Sequence, residues 1–346
     1  QAASPAPSSQ LAALVRVPVH MEGGAADSAS TPVAPAPAAA PASKKRAVID
    51  THVHLASGWK EGGSGLPNYF FRKLCEGVPE GEGFNQEWSE DDFRRSVAAS
   101  DVVEVDQAIY VECFNSPIEA ETQWALDLCA DPESLVVGVV AKVPVNEGAE
   151  AVEAFLTQFR VGSAAALPKA LKGARCIFLG EEMPPADACL DAKFLEGLAA
   201  LEPSGLHWEW CCQPCALPHV AAVCARFPNM QFVLDHCGHD DGEEDFDTWA
   251  DALERVALNP NVVCKMGGCE KWGVKNPQRY VAKALEIFGI DRVLYESNWF
   301  VGAALGEPYD RNFRHLMKSL EFLDWMSEEK MTKVFRENAK RVYRLE

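Results

Sequence analysis

The feature that most constrains this chain is an alternation. Eight short, mostly apolar runs, at 47–54, 105–113, 134–143, 171–179, 205–211, 231–236, 261–266 and 292–298, are each bounded by Gly, Pro, Asn or Asp. That is the pattern of buried strands. Longer helix-patterned segments lie between them, at 89–100, 117–130, 147–159, 192–201, 217–227, 246–257 and 277–288, and two more at 311–325 and 327–344 close the chain. Strands interleaved with helices make a parallel sheet with helical crossovers. Eight is the number that closes into a barrel. An open doubly wound sheet would want a glycine-rich phosphate turn after its first strand. Here that strand ends in Asp-Thr-His-Val-His instead. The expected fold is therefore α/β, a (β/α)8 barrel.

The chain has 346 residues, enough for one such barrel and a tail. Residues 1–46 are rich in Ala, Pro and Ser and poor in acids, a composition without the means to build a core. They are expected to be a disordered tail, or the remnant of an organelle transit segment, ahead of a barrel at 47–346. The chain starts at Gln1 rather than Met, which leaves room for a segment ahead of it. The stretch 56–88, with its many glycines, is expected to be a loop over the barrel mouth.

The net charge is −19, and the tail carries four cations against two acids, so the barrel is more acidic still. Nucleic acid and anionic membrane are excluded as partners by that charge. No apolar stretch approaches the ~20 residues needed to span a bilayer. The expected partner is a polar or acidic small molecule, and a homo-oligomer is left open. Twelve cysteines in no framework spacing, many inside apolar runs, read as reduced core thiols. That points to the cytoplasm, or to an organelle if the tail is a transit segment. Cys212-x-x-Cys215 lacks the second pair that a zinc site would show.

In a barrel of this kind the chemistry sits at the C-terminal ends of the strands, so polar side chains there are informative. His52 and His54 are two apart at the end of the first strand, so both imidazoles face one side. Two imidazoles on one face are half of a divalent-metal site, for zinc or manganese. His236 ends the sixth run and can complete such a site or move a proton. In the eighth, Glu296 and Asn298 share a face: the carboxylate can bind metal or deprotonate water, and the amide can orient a base. Arg175 in the fourth run needs a carboxylate partner, either a substrate acid or an internal Glu. Glu112, His207, Glu209 and Lys265 are further polar insertions that would line a pocket or pair internally. His239, in the acidic loop after the sixth run, reads as a solvated side chain.

Together these segments resemble the amidohydrolase-related family, whose members include sugar-acid lactonases, a pyrone-dicarboxylate lactonase and, more distantly, aminocarboxymuconate-semialdehyde decarboxylase. The resemblance runs from about Val48 to the C-terminus. It rests on Ile-Asp-Thr-His-Val-His, Tyr-Val-Glu-Cys, Lys-Gly-Ala-Arg, Phe-Val-Leu-Asp-His-Cys-Gly, Val-Val-Cys-Lys-Met-Gly-Gly, Tyr-Glu-Ser-Asn-Trp and Glu-Asn-Ala-Lys-Arg-Val-Tyr. It implies that the strand-1 histidines bind a divalent metal in many members, with the strand-6 histidine beside them and a strand-8 Asp as ligand or base. Here Asn298 stands at that Asp position, which marks a Glu-Ser-Asn branch. The resemblance also implies that Arg175 recognises a substrate carboxylate or carbonyl.

Three functions are therefore expected in order. The first is hydrolysis of a small ring ester by an activated water, with His236, Glu296 and Asn298 catalytic, His52 and His54 holding metal, and Arg175, Glu112, Glu209 and Lys265 at the substrate. The second is metal-dependent, non-oxidative decarboxylation. The third is a pseudoenzyme that binds a small molecule without turning it over.

Overall fold

The computed structural model describes residues 45–56, 78–113, 117–162, 166–177, 185–238, 245–268, 277–321 and 323–346. Eight strands pair in chain order, each parallel to the next: β1 Arg46–Val53, β2 Val103–Val111, β3 Val136–Lys142, β4 Leu171–Ile177, β5 His207–Cys211, β6 Phe232–Leu234, β7 Val262–Lys265 and β8 Val293–Leu294. The ring closes between β8 and β1, where the Thr51 N–H donates to the Tyr295 carbonyl at 3.3 Å and the His54 N–H to the Trp299 carbonyl at 2.5 Å. The helices between strands are α1 Glu90–Ala98, α2 Ile118–Ala130, α3 Ala149–Phe159, α4 Ala192–Leu201, α5 Leu217–Arg226, α6 Phe246–Ala257 and α7 Pro277–Phe288. After β8 come a helical turn at Val301–Ala304, then α8 Arg311–Glu321, α9 Glu328–Thr332 and α10 Asn338–Tyr343. This is the (β/α)8 barrel that the alternation predicts.

Local chemistry sets the element ends. Ser89 starts α1 with a capping box: its hydroxyl accepts from the Asp92 N–H at 3.3 Å, and the Asp92 carboxylate accepts from the Ser89 N–H at 2.9 Å. β6 and β8 are shorter than the runs at 231–236 and 292–298 suggested. The chain leaves the extended conformation there, with His236, Cys237 and Asn298 at φ of 54°, 56° and 54°. Such left-handed positions are unfavourable for residues with a side chain and are characteristic of functional sites.

The barrel has two apolar layers. One lies between strands and helices and includes Val48, Val53, Phe93, Phe155, Trp208 and Trp249. The other fills the barrel's lower interior with Ile49, Ile109, Val111, Val140, Val233, Val263 and Leu294, closed from below by Tyr343 of α10. Above it the inward positions turn polar: Val233 is followed two residues on by Asp235, Val263 by Lys265, and Leu294 by Glu296. The tail at 1–44, most of the 56–88 loop, and His239 lie outside the described residues. The ten described cysteines are all free thiols. Among the described residues no helix is long and apolar enough to cross a membrane.

Candidate active site

His52 is the centre of the polar layer and is fully buried. It arrives there through a register slip. Asp50 pairs with Ala108 and Val53 with Tyr110, so β1 carries an extra residue between them. Ile49 and His52, three apart in sequence, thereby both face inward, as a bulge allows. Asp50 fixes the end of the strand: its carboxylate accepts from the N–H groups of His52 (3.2 Å) and Ser297 (3.0 Å) and from the Tyr309 hydroxyl (2.8 Å). Burial pushes the Asp50 carboxyl up to about 6, against the pull of those bonds.

The Nε2 atoms of His52 and His54 are 3.1 Å apart. The Nδ1 of His54 lies 2.9 Å from the Val111 carbonyl, to which it donates, and that fixes the tautomer with Nε2 as acceptor. The other side of His52 faces acids, with Nδ1 3.1 Å from Glu296 Oε2 and 3.6 Å from Asp235 Oδ1. Burial, together with the nearby charge of Lys265, holds the His52 imidazole well below its usual pKa, so the ring is neutral.

Glu296 and His236 form a second pair. Glu296 Oε1 accepts both the His236 N–H at 3.0 Å and its Nδ1 at 2.9 Å, and Asn298 Nδ2 lies 3.3 Å from His236 Nε2. Gly267 and Gly268 make room for this pair. A Cβ on Gly268 would stand 2.5 Å from His236 Nδ1, and one on Gly267 2.7 Å from Glu296 Cγ. Burial alone would raise the Glu296 carboxyl, but His236 and His52 hold it well below the usual carboxylate range.

The remaining polar residues form one buried network. The Arg175 guanidinium, 1% exposed, donates to Glu112 Oε1 at 3.0 Å and Asp235 Oδ2 at 3.1 Å, and its Nη1 is 3.2 Å from His52 Nε2. Lys265 Nζ donates to Glu209 Oε2 at 2.6 Å and stands 3.0 Å from Asp235 Oδ1. Glu209 Oε1 accepts from His207 Nε2 at 3.0 Å and from the Tyr343 hydroxyl at 2.7 Å. Burial would raise the Asp235 carboxyl, yet the charges of Lys265 and Arg175 bring it down to about 2. Of the two partners the sequence left open for Arg175, the structure supplies the internal acids.

Thus His52, His54, His236, Glu296 and Asn298 converge, while Arg175, Glu112, Glu209 and Lys265 meet around Asp235. Asp235 was not singled out from the sequence. The signal was present, because Asp235 falls two residues after inward-facing Val233. Asp50 and Tyr343 were also missed, and their partners lie far away in the chain.

The donor chemistry fits a divalent cation. His52, His236 and Glu296 offer ligand atoms within 4.8 Å of one another, as do His52, Glu209 and Asp235. Glu296 Oε2 and Asp235 Oδ1 are buried carboxylate oxygens, held by His52 Nδ1 at 3.1 Å and Lys265 Nζ at 3.0 Å without well-aligned hydrogen bonds. Charge points the same way. Among the described residues of the site, the carboxylates of Asp50, Glu112, Glu209, Asp235 and Glu296 outnumber the cations Arg175 and Lys265, leaving an excess of negative charge to be balanced in a buried setting.

Comparison with known proteins adds to this geometry. A family model described as Amidohydrolase matches residues 49–345. An L-fucono-1,5-lactonase of Burkholderia multivorans (strain ATCC 17616 / 249) is 30% identical over 136 residues, covering 35% of this chain and 46% of that protein. The matches span less than two thirds of each curated relative, at 40%, 46% and 64% of their lengths. Among solved structures, an amidohydrolase from Burkholderia multivorans with bound zinc superposes with a TM-score of 0.67 at 22% identity, covering 87% of this chain and 100% of that one. A probable 2-pyrone-4,6-dicarboxylic acid hydrolase from Acinetobacter baumannii, with citric acid bound, gives a TM-score of 0.59 at 14% identity, covering 86% and 98%. At these identities the structural likeness speaks to the fold.

Proposed function

The chain belongs to the amidohydrolase family, and on that premise we propose that it hydrolyses a small, polar, uncharged ring ester, a lactone of the sugar-acid type. The observation that carries this reading is the Glu296–His236–Asn298 array set against the His52–His54 pair. The lactonase relative supports the choice of bond.

His52 and His54, whose Nε2 atoms are 3.1 Å apart, are the residues that would hold a divalent ion, which when bound supplies Lewis acidity and a fixed positive charge. His236 is then left to move the proton. With Nδ1 donating to Glu296 Oε1, its Nε2 is the acceptor. A water placed beside Nε2 would give it a proton while attacking the ring carbonyl, and the same nitrogen would return the proton to the leaving ring oxygen. Asn298 Nδ2, 3.3 Å from that nitrogen, is placed to orient the water or the carbonyl. Glu296, held ionised by its two histidines, acts behind His236 by fixing its tautomer rather than as the base.

The charges bear on the substrate. Arg175 and Lys265 are both engaged by internal carboxylates, so among the described residues of the site neither is spare for a substrate acid. A neutral polyhydroxylated lactone suits it better than a dicarboxylate. The test is a panel of sugar lactones and of pyrone or aromatic acids, assayed with added zinc, added manganese and after chelation. Opening of a neutral lactone with no carbon dioxide release is expected. Turnover confined to the acids, or release of carbon dioxide, would overturn the reading.

A further inference from the structure

At the opposite end of the barrel lies a groove of about 980 Å³, whose lining includes Gln107, Arg160, Lys169, Lys172, Pro203 and Arg344. The active-site residues described above take no part in it. It is built from the segments entering β4 and β5 and from the C-terminal residues after α10.

Lys172 is the unusual member. It is only 7% exposed, and its Nζ donates at 3.2 Å to the Arg344 carbonyl, a neutral group. Among the described residues no carboxylate lies within 4.0 Å of Lys169, Lys172 or Arg344, in a chain with 51 acids against 32 Lys and Arg. Some other surface cations sit on acids, as Arg46 on Glu328 at 3.0 Å, Lys283 on Glu254 at 3.1 Å, Lys333 on Asp291 at 2.8 Å and Arg336 on Asp106 at 2.8 Å, while exposed ones such as Arg226, Arg255 and Lys318 face solvent. A buried ammonium with no carboxylate in contact, and only the more distant Glu346 among the groove's lining residues, is unfavourable and calls for a partner.

The fold nevertheless makes a place for this side chain. Leu171 pairs with Val139 and Gly173 with Val140, so Lys172 is the unpaired residue of a bulge in β4. Gly138 on β3 leaves the slot for its stem, since a Cβ there would stand 2.8 Å from Lys172 Cγ. Burial and the charge of Arg344 hold the Lys172 ammonium below the usual lysine range, which Glu346 counters only in part.

We propose that this groove binds a small oxyanion carrying two or more negative charges, a di- or tricarboxylate or a phosphate ester, with Lys172 at its floor and Lys169 and Arg344 at its rim. Its volume is that of a small-molecule site. The strongly acidic chain disfavours a large polyanion, whereas a small one meets mainly the groove.

The test is calorimetry on the full, metal-loaded chain with benzene-1,3,5-tricarboxylate and with inorganic phosphate, each against chloride at matched ionic strength. One-to-one binding by either probe supports the proposal, and the probe preferred tells carboxylate from phosphate. Lys169→Glu is expected to weaken binding at least tenfold with turnover unchanged, and Lys172→Met to abolish it. Lys169→Glu decides alone if Lys172→Met does not fold. Absence of binding beyond chloride, or binding indifferent to Lys169→Glu, overturns the proposal.

Discussion

Glu296 holds His236 twice, accepting its backbone N–H at 3.0 Å and its ring Nδ1 at 2.9 Å through the same carboxylate oxygen. One acid at the end of β8 therefore fixes both the left-handed backbone of the β6 turn and the tautomer of the imidazole it carries. Position and tautomer of His236 are a single structural fact.

Glu296→Gln should therefore damage catalysis more than stability. An amide can donate as well as accept, so the tautomer is no longer imposed. A fall in kcat of roughly 10²–10⁴-fold is expected, as for loss of proton transfer or of tautomer control. Steady-state kinetics on the folded variant, checked by circular dichroism, measures it. A fall below tenfold would remove Glu296 from the mechanism.

Asn298→Asp supplies the acid that the family resemblance implies at this position, yet it should lower activity. Asn298 Nδ2 is 3.3 Å from His236 Nε2. A carboxylate there would accept from that nitrogen, favouring an imidazolium held between two acids, and the base would be lost. A drop of at least tenfold is expected at neutral pH. A gain instead would mark Asn298 as a decayed position.

Elemental analysis of the purified chain should find about one divalent ion, offsetting the excess of buried carboxylates over cations. Chelation should lower both turnover and the thermal midpoint, and the double variant His52→Ala with His54→Ala should purify without the ion. Metal-free protein of unchanged midpoint and undiminished lactone turnover would refute the metal assignment.

Lys265→Met tests the buried network. It leaves Glu209 and Asp235, both buried, without the ammonium that stands 2.6 and 3.0 Å from them. Breaking a buried pair on one side costs about 3–5 kcal/mol. Urea unfolding would show the loss as a lower midpoint at constant slope. Lys265→Arg should lose less.

His207 gives a pH dependence. Burial depresses its pKa below the usual 6.5. The unfolded chain therefore takes up this proton before the folded one does. The stability contribution is present above about 6.5 and lost as pH falls from there toward the folded value. His207→Asn should flatten the fall of the thermal midpoint between about pH 6.5 and 5. An unchanged slope would show that His207 does not titrate on unfolding.

How much of this was legible in sequence depends on distance along the chain. The eight runs and their helices were readable because strand and helix periods are local. Inward placement on the later strands followed from the same two-residue period, which sets Glu209 over His207, Lys265 over Val263 and Glu296 over Leu294. Asp235 obeys it too, two residues after Val233.

Other features broke the period. His52 faces inward with Ile49 because β1 gains a residue at a bulge, and a bulge exists only against the register of β2. His236 and Asn298 enter the site on left-handed backbone, where alternation carries no information. The sequence by itself thus determined the barrel and the residue types at its mouth, because hydrophobic period and residue chemistry are properties of short segments. Only the tertiary structure decided which acid belongs to which base. Arg175 turns to Glu112 and Asp235, and His236 to Glu296, because closing the barrel brings strands 60 or more residues apart within hydrogen-bond reach.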